Sequence, residues 1–447
     1  MRDIVLALFI FGTIPFILQR PFLGLLVWGW LGYMNPHRLT YGFAYSFPWV
    51  MLIAVITLVS LAISRERKRI PLSAFSVFLF LFLACTAIAT IYAADPPSAT
   101  DKLEAFAKTL LMVYVTLMLV NDRRRMDWLV WMIVVSIGFY GLKGGVFTIL
   151  RGGAHHVFGP PNSFIADNNA LAMAFCMILP LMRYLQLQTA NKRVRIGLGV
   201  AMFLTGVATL GTYSRGGFIA LVLVSGALFI KGRRRFTLAI AVIAVGLVAY
   251  HFMPTRWIER MDTIQHAGQV NTLQTRIQSW EFGANVALHR PLVGGGFDVS
   301  NSLSMWAKYG PKGAEPRAIH SIYFRVLGEQ GFPGLVLYLV LLFISWTCCT
   351  RVRRRAKDSP PDSWAYDLAS MLQVSLLAFV VAGSAETLSY FDLSFQMMAM
   401  CALLNGVLAA KRSVPQGSDA ASPALLRTPG DRSRALASGA AHGRSGG

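Results

Sequence analysis

Four polar segments of the chain hold residues that could do chemistry, and together they suggest anion binding beside proton transfer. Residues 212–217 read Thr-Tyr-Ser-Arg-Gly-Gly. Arg215 stands at the end of an apolar run, with Gly216 and Gly217 behind it. Glycine lets a backbone come close to a ligand, and a guanidinium can grip a diphosphate with two parallel hydrogen bonds. An arginine at such a place can also simply snorkel to a membrane surface. Residues 274–281, Gln-Thr-Arg-Ile-Gln-Ser-Trp-Glu, have the look of an amphipathic helix with Arg276 and Trp280 on one face. The run Gly294, Gly295, Gly296 that follows reads as a flexible turn able to pass near a ligand. No Lys-Ser/Thr comes after it, so it is not a P-loop.

In residues 318–334, His320 opens a helical stretch. Histidine titrates near neutrality and can act as a general base, or it can serve structure alone. Arg325 and Glu329 are spaced to pair, and Gly331, Pro333 and Gly334 break the helix before the next apolar run. In residues 159–170, Asn162, Asp167, Asn168 and Asn169 precede another apolar run, where they would cap a helix or bind sugar hydroxyls. His155, His156, His266, His289, Asp298 and Glu281 are alternatives to His320 as base, and Arg317 and Arg325 flank it as further anion contacts.

The elements that must position these residues are membrane helices. Of the 447 residues, 55% are hydrophobic and 14% charged, against about 25% charged in a soluble domain; mean hydropathy is +0.52. Apolar runs recur to about residue 410, many approaching the roughly 20 residues that cross a bilayer as a helix. The alternating segments of an outer-membrane barrel are not seen. The net charge of +21 does not mark a nucleic-acid binder, because the basic residues sit in short clusters between apolar runs. Cys85, Cys176, Cys348, Cys349 and Cys401 all lie in apolar runs without metal-ligand spacing, so neither disulfide nor zinc is expected. The apolar start after Met1-Arg2-Asp3 reads as an uncleaved first span.

The clusters at 65–69, 123–125, 192–195, 231–235 and 351–357, with Lys411 and Arg412, are separated by pairs of apolar runs, so all can face the cytoplasm. Loops at 94–101, 152–169 and 384–392 then face outward. The first 35 residues, split by Gln19-Arg20-Pro21, cross once or twice, giving 12 or 13 spans. The loop at 254–319 is outer, long and basic, which suits an anion site there, although long loops translocate whatever their charge. Residues from 411 on are rich in Ser, Gly, Ala, Arg and Pro, and are expected to be a disordered cytoplasmic tail.

In order along the chain stand Arg215, then Arg276, Trp280, Pro291, Gly294 and Gly296, then His320, then Glu329, Gly331 and Gly334. This series resembles the O-antigen ligase and polymerase superfamily of bacterial inner membranes, over roughly residues 158–406. The first 150 residues, with Pro21-Phe-Leu-Gly-Leu-Leu-Val-Trp-Gly-Trp and Tyr33-Met-Asn-Pro-His-Arg, are similar to a subfamily of O-glycosylation ligases associated with exosortase and exopolysaccharide systems. The resemblance implies an all-helical polytopic glycosyltransferase of the C type, with an N-terminal membrane region at 1–150 and a ligase-like region at 151–410 holding a large periplasmic loop. It implies transfer of a glycan from an undecaprenyl diphosphate carrier to a hydroxyl of a lipid, a glycan or a protein on the periplasmic side. By the same resemblance Arg215 and Arg276 hold the diphosphate and His320 activates the acceptor. Arg317, Arg325, Asn162 and Asp167 are further candidate contacts. No metal or other cofactor is implied, and the outer loop has no Asp-x-Asp pair. A polymerase would use the same site. A lipid-linked sugar transporter would show internal repeats and mid-membrane charges, which are not evident, and a scaffold would leave the arginines and His320 unexplained.

Overall fold

A computed structural model describes residues 1–66, 71–231 and 271–412. Residues 1–408 form one unit; of the second, which begins at Ala409, only the end of the last helix is described. The expected tail, the apolar run 236–252, the loop residues 254–270 with His266, and most of the basic clusters at 65–69 and 231–235 lie outside the described residues.

Among the described residues the chain is helical throughout, with no strand. The helices are α1 (Arg2–Gln19), α2 (Pro21–Met34), α3 (Trp49–Ile63), α4 (Ala74–Ile91), α5 (Pro96–Leu119), α6 (Arg123–Leu150), α7 (Asn168–Gln188), α8 (Lys192–Gly211), α9 (Arg215–Lys231), α10 (Asn271–His289), α11 (Leu303–Tyr309), α12 (Ile322–Ala356), α13 (Ser363–Gly383) and α14 (Asp392–Arg412). Eight of them are long and apolar enough to cross a membrane, and α2, α3 and α9 are shorter apolar helices. The chain is a polytopic membrane protein.

The first 35 residues make two helices that meet at Arg20. Asp3 at the start of α1 accepts hydrogen bonds from the amides of Gly42 and Ala44, just before α3. Ser60, near the end of α3, donates to the carbonyl of Ile17, near the end of α1, at 2.6 Å. So α1 and α3 run in the same direction and α2 returns between them. Pro21 begins α2 where an amide hydrogen has no partner to lose.

Helices α7, α13 and α14 are buried along most of their length and form the centre, whereas α1 is largely exposed to the surroundings. Small residues let backbones touch, as they do between helices in lipid. A Cβ at Gly145 of α6 would lie 2.2 Å from the Leu204 carbonyl oxygen of α8, and one at Gly141 2.3 Å from the Thr205 hydroxyl.

The two ends of the bundle differ in chemistry. At one end Arg125 pairs with Glu66 at 2.9 Å, Arg123 with Asp127 at 3.5 Å, and Gln188 bridges Arg123 and Asp367. The described basic clusters collect here, as the charge map requires. At the other end gather the loops at 36–48, 92–95, 151–167, 212–214, 290–321 and 384–391. They are joined to one another by bonds such as Ala94 amide to Gly295 carbonyl, 2.9 Å, and Val157 amide to Gly211 carbonyl, 2.9 Å.

Candidate active site

The loop end holds the residues that the sequence singles out, and each is fixed by a local reason. Asp167 caps α7, its carboxylate accepting from the amides of Asn169 at 2.8 Å and Ala170 at 3.3 Å. The next residue, Asn168, donates to the Thr212 carbonyl at 2.7 Å and ties the start of α7 to the turn between α8 and α9. Tyr213 in that turn has φ 58° and its hydroxyl reaches the Gly153 carbonyl. Ser214 then caps α9, accepting from the Gly217 amide at 3.1 Å. A Cβ at Gly217 would stand 2.5 Å from that of Ala172, so α9 is seated directly on α7. Arg215 is the first residue of α9. The positive end of a helix dipole therefore opens at its backbone, a favourable place for an anion.

Arg276 and Trp280 lie one turn apart on α10. The indole N–H of Trp280 donates to the His320 carbonyl at 2.9 Å, and its ring stacks on Phe324 with centroids 5.5 Å apart. One turn on, a Cβ at Gly283 would meet the Phe324 carbonyl oxygen at 2.8 Å, and one at Gly328 the Cα of Gly283 at 3.0 Å. Backbone contact between α10 and α12 thus holds the Arg276 helix against the chain that carries His320.

The glycine run serves the kink of α12, not a ligand. Gly331 has φ 69° and ψ −169°, which interrupts the helix. In a regular helix the Gly328 carbonyl would accept from the Phe332 amide and the Glu329 carbonyl from residue 333. Phe332 donates instead to the Pro291 carbonyl at 2.9 Å, and Pro333 has no amide hydrogen. The two carbonyls left over accept from the Gly295 amide, 2.8 Å, and the Gly296 amide, 2.9 Å. Gly296 has φ 81°, and a Cβ there would lie 2.3 Å from that of Ala93. The turn is buried.

Arg325 lies beside this kink. Its guanidinium donates to Glu329 at 2.9 Å and Asp298 at 3.0 Å, and to the Thr387 carbonyl. Glu329 also accepts from the Asp298 amide at 3.0 Å, and Lys102 reaches Asp298 at 3.5 Å. The spacing of Arg325 and Glu329 therefore does give a pair, but a mostly buried one within a network. Replacing Arg325 by methionine would leave buried Glu329 without a cationic partner and Asp298 with Lys102 alone. The expected loss is about 3–5 kcal/mol of stability, read as a lowered melting temperature of the purified protein; an unchanged melt would show that the network is dispensable.

His320 closes the loop just before α12. Its Nδ1 is buried and has no hydrogen-bond partner among the described residues. Burial, and then the Arg276 charge, hold its pKa below the usual histidine value; Asp167 opposes them, and Arg325 and Arg317 act with them. The ring is therefore neutral at pH 7 and able to take a proton. Arg317 itself donates to the Glu315 carbonyl at 3.0 Å.

One acid escaped the sequence reading. Glu386 lies in the turn between α13 and α14, only 4% exposed, with Oε1 unpartnered among the described residues. Its Oε1 lies 3.9 Å from where a Cβ of Gly216 would be. Burial pushes its carboxyl up to about 8, with Arg276 lowering it and Asp167 raising it. The sequence carried a faint signal, an acid in a short loop otherwise poor in charge between two apolar runs.

Arg276, Asp167, His320 and Glu386 thus share one electrostatic neighbourhood, and Arg215 is joined to it through Gly216. Asn162 is exposed, with φ 56°, and donates to the Tyr45 hydroxyl at 3.3 Å. Among the alternative bases, His289 Nδ1 lies 2.8 Å from the Asn285 carbonyl oxygen. His156 stacks on Tyr213 at 4.3 Å, His155 lies against Phe147, Asp298 is in the Arg325 network, and Glu281 is exposed. This arrangement can hold an anion with arginines and a helix terminus and remove a proton with a neutral imidazole.

Comparison with known families divides the chain in two. Residues 1–190 match a family of unknown function, DUF5935. Residues 200–339 match the family described as O-Antigen ligase, a span that contains Arg215, Arg276 and His320 and stops short of Glu386. No curated protein matches the chain.

Proposed function

We propose that this polytopic membrane protein, which carries an O-antigen ligase domain over residues 200–339, transfers a glycan from an undecaprenyl diphosphate carrier to an acceptor hydroxyl. The reaction takes place at the periplasmic face of the bacterial inner membrane. The observation that carries this reading is the convergence of a neutral His320 with Arg276 at the end of the bundle opposite the basic clusters. Basic clusters face the cytoplasm, so the loop end faces outward.

In the proposed reaction the acceptor oxygen attacks the anomeric carbon as the bond from that carbon to the phosphate oxygen breaks. The anomeric centre inverts. His320 takes the hydroxyl proton. Arg215, Arg276 and the N-terminus of α9 neutralise the departing diphosphate, an electrostatic stabilisation built into the resting site. Two guanidiniums supply the charge that a metal ion would otherwise bring, so we assign a metal-independent route. The match of residues 1–190 to a separate family supports a distinct subgroup of ligases. We place it with the O-glycosylation ligases of exosortase and exopolysaccharide systems.

Reconstitution with a defined lipid-linked glycan and candidate acceptors, followed by mass analysis, tests the function. A glycosylated acceptor with free undecaprenyl diphosphate is the expected result, at a rate unaltered by chelator. Products that lengthen by repeat units would make it a polymerase, and movement of intact donor across the bilayer would make it a transporter.

A further inference from the structure

We propose that Glu386 keeps its proton at the diphosphate site and donates it in a hydrogen bond to the departing phosphate oxygen. This rests on the diphosphate reading of Arg215 and Arg276, and it adds a residue beyond the part of the chain matched to the ligase family.

The geometry comes first. Glu386 is 4% exposed, and Oε1 has no partner among the described residues. It forms none of the ion pairs found there, whereas buried Glu329 is paired with Arg325 at 2.9 Å. The turn that holds it is fixed, because Arg325 grips the carbonyl of the next residue, Thr387, and Ser389 donates to the Ile322 carbonyl at 3.2 Å. The carboxyl therefore stands at the wall of the site beside Gly216, at the opening of α9, and within the field of Arg276.

Burial, and then charge, decides the protonation state. The groups that face Glu386 are Arg276 from α10, Asp167 at the cap of α7, and Gly216 in the first turn of α9. His320, before α12, feels the same Arg276 and Asp167. Arg276 favours a carboxylate; burial and Asp167 oppose it and prevail, so the acid is neutral at pH 7. A diphosphate brings more negative charge. Like charges repel strongly at close range in a partly screened site, so an occupied site keeps the acid neutral all the more. A neutral carboxyl has one O–H to donate, and the ligand there is rich in acceptors. The site then holds two titratable groups driven apart, a histidine poised to accept a proton and a carboxyl poised to donate a hydrogen bond, the pattern by which acid and base roles divide.

The balance of the step is unchanged. The acceptor oxygen bonds to the anomeric carbon, the bond from that carbon to the phosphate oxygen breaks, and the hydroxyl proton goes to His320 and then to water. The polyprenyl diphosphate leaves as an anion. Glu386 retains its proton throughout and strengthens its hydrogen bond as charge grows on the leaving oxygen.

Binding of undecaprenyl diphosphate to the purified full-length protein in nanodiscs, measured between pH 7 and 9, tests this. A carboxyl titrating near 8 that must stay protonated gives affinity that falls about tenfold over that range. Glu386→Gln, which keeps a donor and cannot ionise, is expected to remove the fall, with an unchanged melt confirming its fold. Binding by the unaltered protein that does not change with pH would overturn the proposal. The same fall in Glu386→Gln would place the titration elsewhere and also overturn it. Binding by the unaltered protein that tightens from pH 7 to pH 9, and is weak in Glu386→Gln at both, would make the group a carboxylate that positions Arg276 and overturn the proposal. Absence of any binding by the unaltered protein would instead remove the diphosphate site itself, a failure distinct from the others.

Discussion

His320→Ala is expected to bind the lipid-linked donor normally and to lose transfer by about 10²- to 10⁴-fold, the range that general-base help supplies. The two readouts separate because in the proposed reaction the arginines hold the diphosphate, whereas His320 acts only on the acceptor hydroxyl. The pH profile carries a further signature. Burial and the Arg276 charge hold the imidazole below its ordinary value of 6.5, so its acid limb lies below that pH. Transfer should be flat through neutrality and fall only when the ring is protonated in more acidic buffer. In His320→Ala the limb should vanish with most of the rate. Transfer of a labelled glycan at saturating donor measures both, and undiminished transfer by the variant would sink His320 as the base.

Alanine at Arg215 or Arg276 should act on the other half of the reaction. A hydrogen bond to a charged group is worth about 1.5–3 kcal/mol, so each variant should weaken donor binding by about tenfold to somewhat over a hundredfold. Lysine should restore only part of this, because it lacks the planar fork. Arg276 has a second effect that Arg215 does not share to the same degree. Its charge is the second-largest cause, after burial, of the lowered His320 pKa. In Arg276→Ala the acid limb should therefore move to higher pH even with donor saturating. Titration of donor binding and a pH series on each variant check the pair; undiminished binding in both would remove the diphosphate role.

The membrane architecture was legible because its causes are local. Apolar runs and basic clusters are written directly in the chain, and the structure segregates the described clusters at one end. The pair Arg325 and Glu329 and the cap at Asp167 follow from helical spacing alone. Three features were not legible. That α1 runs alongside α3 in the same direction depended on Ser60 and Asp3, whose partners lie some 40 residues away. The glycine run at 294–296 looked like a ligand turn because sequence shows a need for backbone freedom without showing what approaches. Glu386 was missed because only the fold sets it beside Gly216 and Arg276. A lone acid in a short turn has no spacing to betray it.

The broken turn of α12 has a consequence for how such a site can diversify. Its two surplus carbonyls act as a socket, and the amides of Gly295 and Gly296 are the plug. The count of residues from Pro291 to Gly296 is thereby locked to a membrane helix, and an insertion there would unseat the whole outer segment. Residues 299–316, beyond the plug, are held by side chains instead, with Trp306 stacked on Phe282 at 4.1 Å and the Tyr309 carbonyl accepting from Asn285 at 3.1 Å. A change of length within the plug would break its fit to the helix, whereas a change beyond it need only preserve these side-chain contacts.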